Sequence, residues 1–304
     1  MTHDASPATS GRRRRPYAGR PALICTALLL SMPAHAVDHD AGDYVAAPPG
    51  TSLFLLYGQH AKRNALQAGG DRVPINAGLD SNVGIARAVH YMKIGGLTVA
   101  PQVLLPFGRL KGRDDTSTLG RTSGVGDIIL AAPVWVINDA DQRVYWGLTP
   151  YLYLPTGSYD ADRALNLGEN RWKLNLQSGF VKGLTPNWWA EVTGDVMLHG
   201  KNDEFGSVRA TQKQKPLFQL QSYLRYQFNP GANVFAGLSH TWGGETRLNG
   251  VDNDDQPRQF KASLGGSYFV GPKTQLMAAV GRDLKVENGF KENFRLNLRL
   301  LQIF

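Results

Sequence analysis

The sequence has one cysteine, Cys25, so it can form no internal disulfide and no cysteine-rich metal site. It has no apolar run of about 18 residues, and its mean hydropathy is −0.28, which together exclude a bundle of membrane helices. Charged residues make up 19%, below the ~25% of an average soluble domain, so a solvated coiled coil or an expanded charged chain is also excluded. Nucleotide chemistry finds no purchase: Gly124-Val125-Gly126 lacks a third glycine and a following Lys-Ser/Thr. The acids Asp252, Asp254 and Asp255 lack the glycine and terminal glutamate of a calcium loop, and His39, His60, His90, His199 and His240 are scattered without metal-ligand spacing. No cofactor or metal is implied.

The N-terminus reads as an address. Arg12 to Arg15 and Arg20 precede a short apolar stretch, Pro21 to Met32, which ends at Ala34-His35-Ala36. A basic start, a short apolar run and an A-x-A site make a secretory signal peptide over residues 1–36, with cleavage after Ala36. The remaining 268 residues then carry a net charge of +4, so half of the formal +8 belongs to the leader. A nucleic-acid partner loses its electrostatic support, and the only thiol leaves with the leader.

Beyond residue 50 the chain alternates with period 2. Trp172, Leu174, Leu176 and Phe180 interleave with Lys173, Asn175 and Gln177, and Phe218, Leu220 and Leu224 interleave with Gln219, Gln221 and Arg225. Such segments are strands with one apolar and one polar face. Twelve are expected, near 51–60, 79–91, 94–108, 124–137, 143–155, 171–182, 187–199, 215–228, 232–243, 257–270, 274–284 and 292–304. Long polar loops at 61–78, 109–123, 156–170, 200–214, 244–256 and 285–291 alternate with tight links such as Met92-Lys93, Asn229-Pro230-Gly231 and Gly271-Pro272-Lys273. An even strand number with long loops at one end and short turns at the other points to an all-β transmembrane antiparallel barrel over 51–304, preceded by a short periplasmic segment at 37–50. Trp146, Trp172, Trp188, Tyr226, Phe228, Tyr268 and Phe294 near strand ends suit the interfacial girdles of such a barrel. A soluble β-sandwich alternates equally well but does not predict the loop rhythm.

Strands 2 to 5 fit less neatly. Arg87 falls on the more apolar face of strand 2, beside Val83, Ile85 and Val89, where lipid exposure would cost about 2–4 kcal/mol. Either Arg87 snorkels to an interface or the register assigned to this strand is off. Pro101, Pro106, Pro133 and Pro150 interrupt strands 3 to 5 and mark bulges or a gap in the wall.

Three short motifs carry a resemblance: Ser123-Gly124-Val125-Gly126-Asp127, Leu154-Pro155-Thr156-Gly157-Ser158-Tyr159 and Asn166-Leu167-Gly168-Glu169-Asn170-Arg171-Trp172. With the leader and a barrel running to the last residue, they resemble the outer-membrane proteins of the MetA-pathway of phenol degradation family, although Val125 stands where the family pattern has Leu. The resemblance implies a Gram-negative outer-membrane channel associated with uptake of phenolic, aromatic or hydrocarbon compounds. The terminal Phe304 on an alternating strand resembles the signal read by the barrel assembly machinery.

Partners are therefore expected to be outer-membrane lipid, that machinery and a small-molecule solute. The expected lumen lining and solute path includes Asp127, Tyr151, Tyr153, Arg171, Lys173, Glu191, Asp195, Tyr223, Arg225, Arg295 and Arg299. Across the whole expected polar face seven bases stand against four acids, a bias toward anions. Two other readings stay open. One is a structural barrel with its lumen closed by ion pairs. The other is an outer-membrane phospholipase-type enzyme, which needs a serine and a histidine on one face. Ser239 and His240 are adjacent and so point to opposite faces, and no enzyme is expected.

Overall fold

The computed structural model describes residues 39–304, and the expected leader lies outside the described residues. The chain forms a closed barrel of twelve antiparallel strands. They are β1 (Ser52–Ala68), β2 (Ala77–His90), β3 (Gln102–Asp114), β4, β5 (Val144–Tyr153), β6 (Lys173–Gly183), β7 (Trp188–His199), β8 (Leu217–Asn229), β9 (Ala232–Gly243), β10 (Arg258–Phe269), β11 (Thr274–Val286) and β12 (Gly289–Ile303). The fourth is broken into Arg121–Val125, Ile129–Ala131 and Val134–Asp139. Pairing of β1 with β12, from Leu53 opposite Ile303 to Gln67 opposite Gly289, closes the wall. Closure satisfies the backbone in lipid without an exposed edge.

From β5 to β12 the alternation sorts as expected. Leu174, Leu176 and Phe180 on β6 and Leu220 and Leu224 on β8 are exposed on the outside, while Asn175, Gln177, Gln219 and Gln221 are buried inside. Trp146, Trp188, Tyr226, Phe228 and Tyr268 ring the end that carries the short turns and Phe304, with Trp188 and Tyr226 edge to face at 5.0 Å. Trp172 and Phe294 lie at the opposite end, joined by a stacked Phe218–Trp242 pair that the sequence pattern did not single out.

The first quarter differs. On β2 the apolar face points inward: Leu79 and Val89 are buried, whereas Ala88 on the other face is exposed. Arg87 therefore faces the lumen and meets no lipid. Its guanidinium donates to Tyr57 Oη at 3.0 Å, Gln102 Oε1 at 2.6 Å and Asp43 Oδ2 at 3.2 Å. The face, and not the register, was misassigned, because what packs on it is apolar protein. The turn expected at Met92-Lys93 lies further on. Met92–Ile94 and Leu97–Val99 pair around Gly95-Gly96, whose φ values of 56° and 84° favour glycine. Three of the expected long loops are mostly strand: β1, β3 and β11 extend to Ala68, Asp114 and Val286. The loops at 200–214 and 244–256 instead build a small second sheet from Asn202–Phe205, Ala210–Gln214, Thr246–Leu248 and Val251–Asp252.

Candidate functional site: an occupied lumen

Residues 39–47 lie inside the barrel, whereas the sequence suggested a periplasmic segment. Tyr44 is buried, and its hydroxyl hydrogen-bonds Thr149 Oγ1 at 2.8 Å and donates to Gln177 Oε1 at 3.0 Å. Its ring lies over Gly147 and Gly179, which face each other across β5 and β6, and a Cβ on Gly179 would run into that ring. Trp135 Nε1 donates to Tyr44 O at 2.8 Å, and Leu55, Val89 and Tyr91 pack beside it. His39 bridges Gln221 and Thr193 at 3.2 and 3.0 Å. Charge completes the seat. Arg299 Nη1 donates to Asp40 at 2.8 Å and to Asp43 at 3.2 Å, and the Gly42 amide donates to Glu191 at 2.7 Å.

The predicted lining residues fall into three groups. Glu191, Asp195, Tyr151, Tyr223, Arg225 and Arg299 surround this plug. Arg225 Nε donates to Glu191 at 2.7 Å, Tyr223 Oη to His39 O at 3.0 Å, Tyr151 Oη to Gln177 at 3.2 Å, and Asn175 to Asp195 at 2.9 Å. The second group, Asp127, Tyr153, Arg171 and Lys173, lies toward the loop end around Glu169. Arg171 donates to Glu169 through Nε at 3.0 Å and Nη2 at 2.6 Å, Lys173 also pairs with Glu169, and Lys173 Nζ sits 4.5 Å over the Tyr153 ring. Arg295 stands apart with Glu292, which it meets at 2.6 Å and which also accepts from Arg63 at 2.8 Å. Phe304 lies at the seam, its amide donating to Ser52 O at 3.0 Å.

Asp127 joins the three sequence motifs. The fourth strand leaves the wall at Gly126–Ile128, and the Asp127 carboxylate accepts from the Gly157 amide at 2.9 Å and the Glu169 amide at 3.0 Å. Gly157 packs against this turn so closely that a Cβ would lie 2.6 Å from Gly126 C and 2.7 Å from Gly168 Cα. These glycines are needed for close backbone approach. The fourth strand's Arg121–Val125 piece has no ladder to β5. Above the Leu154 amide's bond to Ile128 O at 2.9 Å, the inward-folded loop takes over, with Ser158 N donating to Val125 O at 2.8 Å. Pro101 and Pro133 sit at strand breaks as expected, whereas Pro106 and Pro150 lie within strands and lend their carbonyls to Gly126 and Ala132.

The plug divides the interior. A cavity of about 240 Å³ on the loop side is lined by Arg63, Leu79, Leu110, Glu169, Arg171 and Phe290. Another of about 780 Å³ on the short-turn side is lined by Gly42, Val45, Arg143, Trp189, Arg225 and Leu301. Between them a pocket of about 40 Å³ borders His39, Asp40, Lys261 and Arg295. Burial would raise the Glu169 carboxyl, but Lys173 and Arg171 hold it well below the usual carboxylate range.

The sequence reading missed His39, Asp40, Asp43 and Tyr44. Their signal was present: residues 37–61 contain Asp38, Asp40 and Asp43 and no lysine or arginine, the complement of a lumen with excess base. Ser239 and His240 lie on opposite sides of the wall, the former accepting from Gln219 at 3.0 Å and the latter stacked on Trp242. A Ser52–His90 contact of 2.9 Å occurs at the rim, with no carboxylate orienting the ring among the described residues.

Against known families, the profile for the MetA-pathway of phenol degradation matches residues 61–300. The chain belongs to that family. The COG4313 outer membrane channel from Pseudomonas putida F1 is 44% identical, with a TM-score of 0.85 over 88% of this chain and 100% of that one. The family's outer-membrane channel plan, a Gram-negative outer-membrane location and the twelve-stranded barrel follow. The translocator domain of the autotransporter NalP from Neisseria meningitidis is 10% identical with a TM-score of 0.47, over 86% of this chain and 90% of that one. The toluene transporter TodX of Pseudomonas putida is 9% identical with a TM-score of 0.45, over 84% and 90%. Neither is near enough to bear on function. No curated protein matches the sequence.

Proposed function

We propose that this family member is a channel for passive uptake of small organic compounds, with phenolic, aromatic or hydrocarbon solutes favoured by its family. The observation that carries the route is a pairing of two features. The plug fills the middle of the lumen, and the wall beside the loop-side cavity lacks a β-ladder between Val125 and the end of β5. A solute entering the loop-side cavity would pass Arg171, Lys173, Tyr153 and Asp127 and leave sideways at this break, so an apolar body is spared the plugged aqueous core. Phe304, exposed at the closing seam, serves in this reading as the mark for the barrel assembly machinery.

The test is a cysteine pair, Gly124→Cys with Ser158→Cys, which ties the inward loop to the wall where a Gly124 β-carbon would meet the Ser158 side chain. Oxidised, it is expected to abolish growth-supporting uptake of an aromatic carbon source, with recovery on reduction and no change in bilayer conductance. Unchanged uptake when oxidised would overturn the lateral route. A large anion-biased conductance in the unmodified protein would favour axial passage, and absence of both conductance and any uptake defect on gene deletion would leave the closed structural barrel.

A further inference from the structure

Four cations stand on the outside of the barrel where the aromatic ring stops. At the loop end of the wall, Trp172, Phe218, Trp242 and Phe294 face outward on the segment before β6 and on β8, β9 and β12. On β1 to β4 the same height is polar. One rung across the four strands reads Lys62–Asp80–Lys111–Arg121, and the rung below reads His60–Asn82–Arg109–Ser123. The next carries Gly58, Gly84, Phe107 and Val125, where the lipid-facing apolar surface resumes. Directly opposed residues share a face, so these side chains project to one side, and Lys62, Arg109, Lys111 and Arg121 are all exposed.

The acids of this region are already engaged. Arg113 Nε holds Asp80 at 2.8 Å, its Nη1 holds Asp114 at 3.0 Å, and its Nη2 donates to Asn64 at 2.7 Å. Among the described residues Lys62, Arg109, Lys111 and Arg121 have no acidic partner within 4.0 Å. With strands about 4.8 Å apart and same-face residues about 6.7 Å apart, the four cations fall in a patch of about 15 by 7 Å. A cation cluster of that size, continuous with an apolar band below it, matches a ligand with phosphates above and acyl chains beneath. Arginine and lysine donors suit phosphate oxygens, and the neighbouring lipid removes competing water from one side.

We propose that Lys62, Arg109, Lys111 and Arg121 form a docking site for the phosphorylated headgroup of an outer-leaflet glycolipid, whose chains lie along Phe107, Val125 and Leu105. The full chain, purified in detergent, would be tested by native mass spectrometry with bis-phosphorylated lipid A. The wild type is expected to retain it at least tenfold more tightly than the triple variant Arg109→Gln, Lys111→Gln, Arg121→Gln. The single Arg109→Gln, included in case the triple does not fold, is expected to lose about threefold. A control that removes three charges from the small second sheet and its flanks, Lys201→Gln, Arg209→Gln, Lys213→Gln, should bind as the wild type. Equal retention by the site variants, an equal loss in the control, or equal binding of phosphatidylglycerol or of inorganic phosphate would overturn the assignment.

Discussion

The wall from β6 to β12 and the wall from β1 to β4 are built on the same alternation but enclose different things. Between β6 and β12 the inner face offers the plug mainly hydrogen-bonding and charged partners, such as Gln177, Glu191, Gln221 and Arg299, with Val181, Met197, Leu217, Phe235 and Met277 among the apolar exceptions, so most apolar residues point to lipid and most polar ones inward. Between β1 and β4 part of the inner face meets Tyr44 and Val45 of the plug, and Leu53, Leu55 and Val89 point inward to cover them. Alternation reports that two faces differ. It does not report which face is wet, and on β2 the small residues Gly84, Ala86 and Ala88 are the ones left to the outside.

The largest effect should come from removing the cause of the difference. Deletion of residues 39–47 strips the carboxylate partners of Arg299 and Arg87 and the Gly42 amide from Glu191, and joins the cavities on the two sides of the plug. Single-channel conductance in planar bilayers is expected to rise about tenfold or more, since transport through a pore is set by its narrowest, dehydrated section. Conductance equal to that of the intact chain would show that the plug is not the barrier.

A pair of arginine substitutions on β2 inverts the reading the pattern invites. Ala86 faces outward at mid-wall, and Ala86→Arg should destabilise the barrel by about 2–4 kcal/mol in urea-driven unfolding from lipid vesicles. Val83 faces the loop-side cavity, and Val83→Arg should cost less than half as much, because a lumen accepts a hydrated guanidinium. On β8 the order reverses the chemistry of the pattern but not its logic: Leu224→Arg, outward, should match Ala86→Arg.

Much of this was legible in advance. The strand number, the outward residues of β6 to β12 and the inward position of Arg171, Lys173, Glu191, Arg225, Arg295 and Arg299 all follow from period 2 and loop rhythm. The plug was not legible as structure, because Asp40, Asp43 and Tyr44 form no strand and acquire meaning only opposite Arg299, Arg87 and Thr149, which are distant in sequence. The motifs around Gly124, Gly157 and Gly168 could be matched to a family but not explained. Only the fold brings the Asp127 carboxylate to two amides at once and stacks three backbones where no side chain fits.

That stack predicts a moderate and position-specific effect. Gly157→Ala places a Cβ 2.6 Å from backbone that cannot rotate away, so a loss of about 1–3 kcal/mol is expected. Gly271→Ala, in a turn with nothing within 4 Å of the new atom, should change stability by less than about 0.5 kcal/mol. Similar losses at both positions would mean that the inward loop is not packed against the broken strand as described.

The smallest effect concerns what keeps that loop seated as pH falls. Glu169 accepts from Arg171 and Lys173, and these cations, opposing the effect of burial, depress its carboxyl well below the ordinary range. A group depressed in the folded state contributes stability that is fully present above its unfolded value, near ~4.3, and that is lost only as pH drops through the lower folded value. Protection of residues 155–170 against hydrogen exchange, taken relative to the intrinsic rate at each pH, should therefore hold between pH 7 and about pH 5 and fall only under more acidic conditions. Glu169→Gln, which keeps the shape but removes the charge, should quicken exchange already at neutral pH and flatten the acid response. The strands β8 to β10 of the same sample, which among the described residues form no hydrogen bond or ion pair with Glu169, serve as the internal reference. A loop that loosens at pH 5, or one whose exchange ignores Glu169→Gln, would place the hold on the Asp127 amide bonds alone.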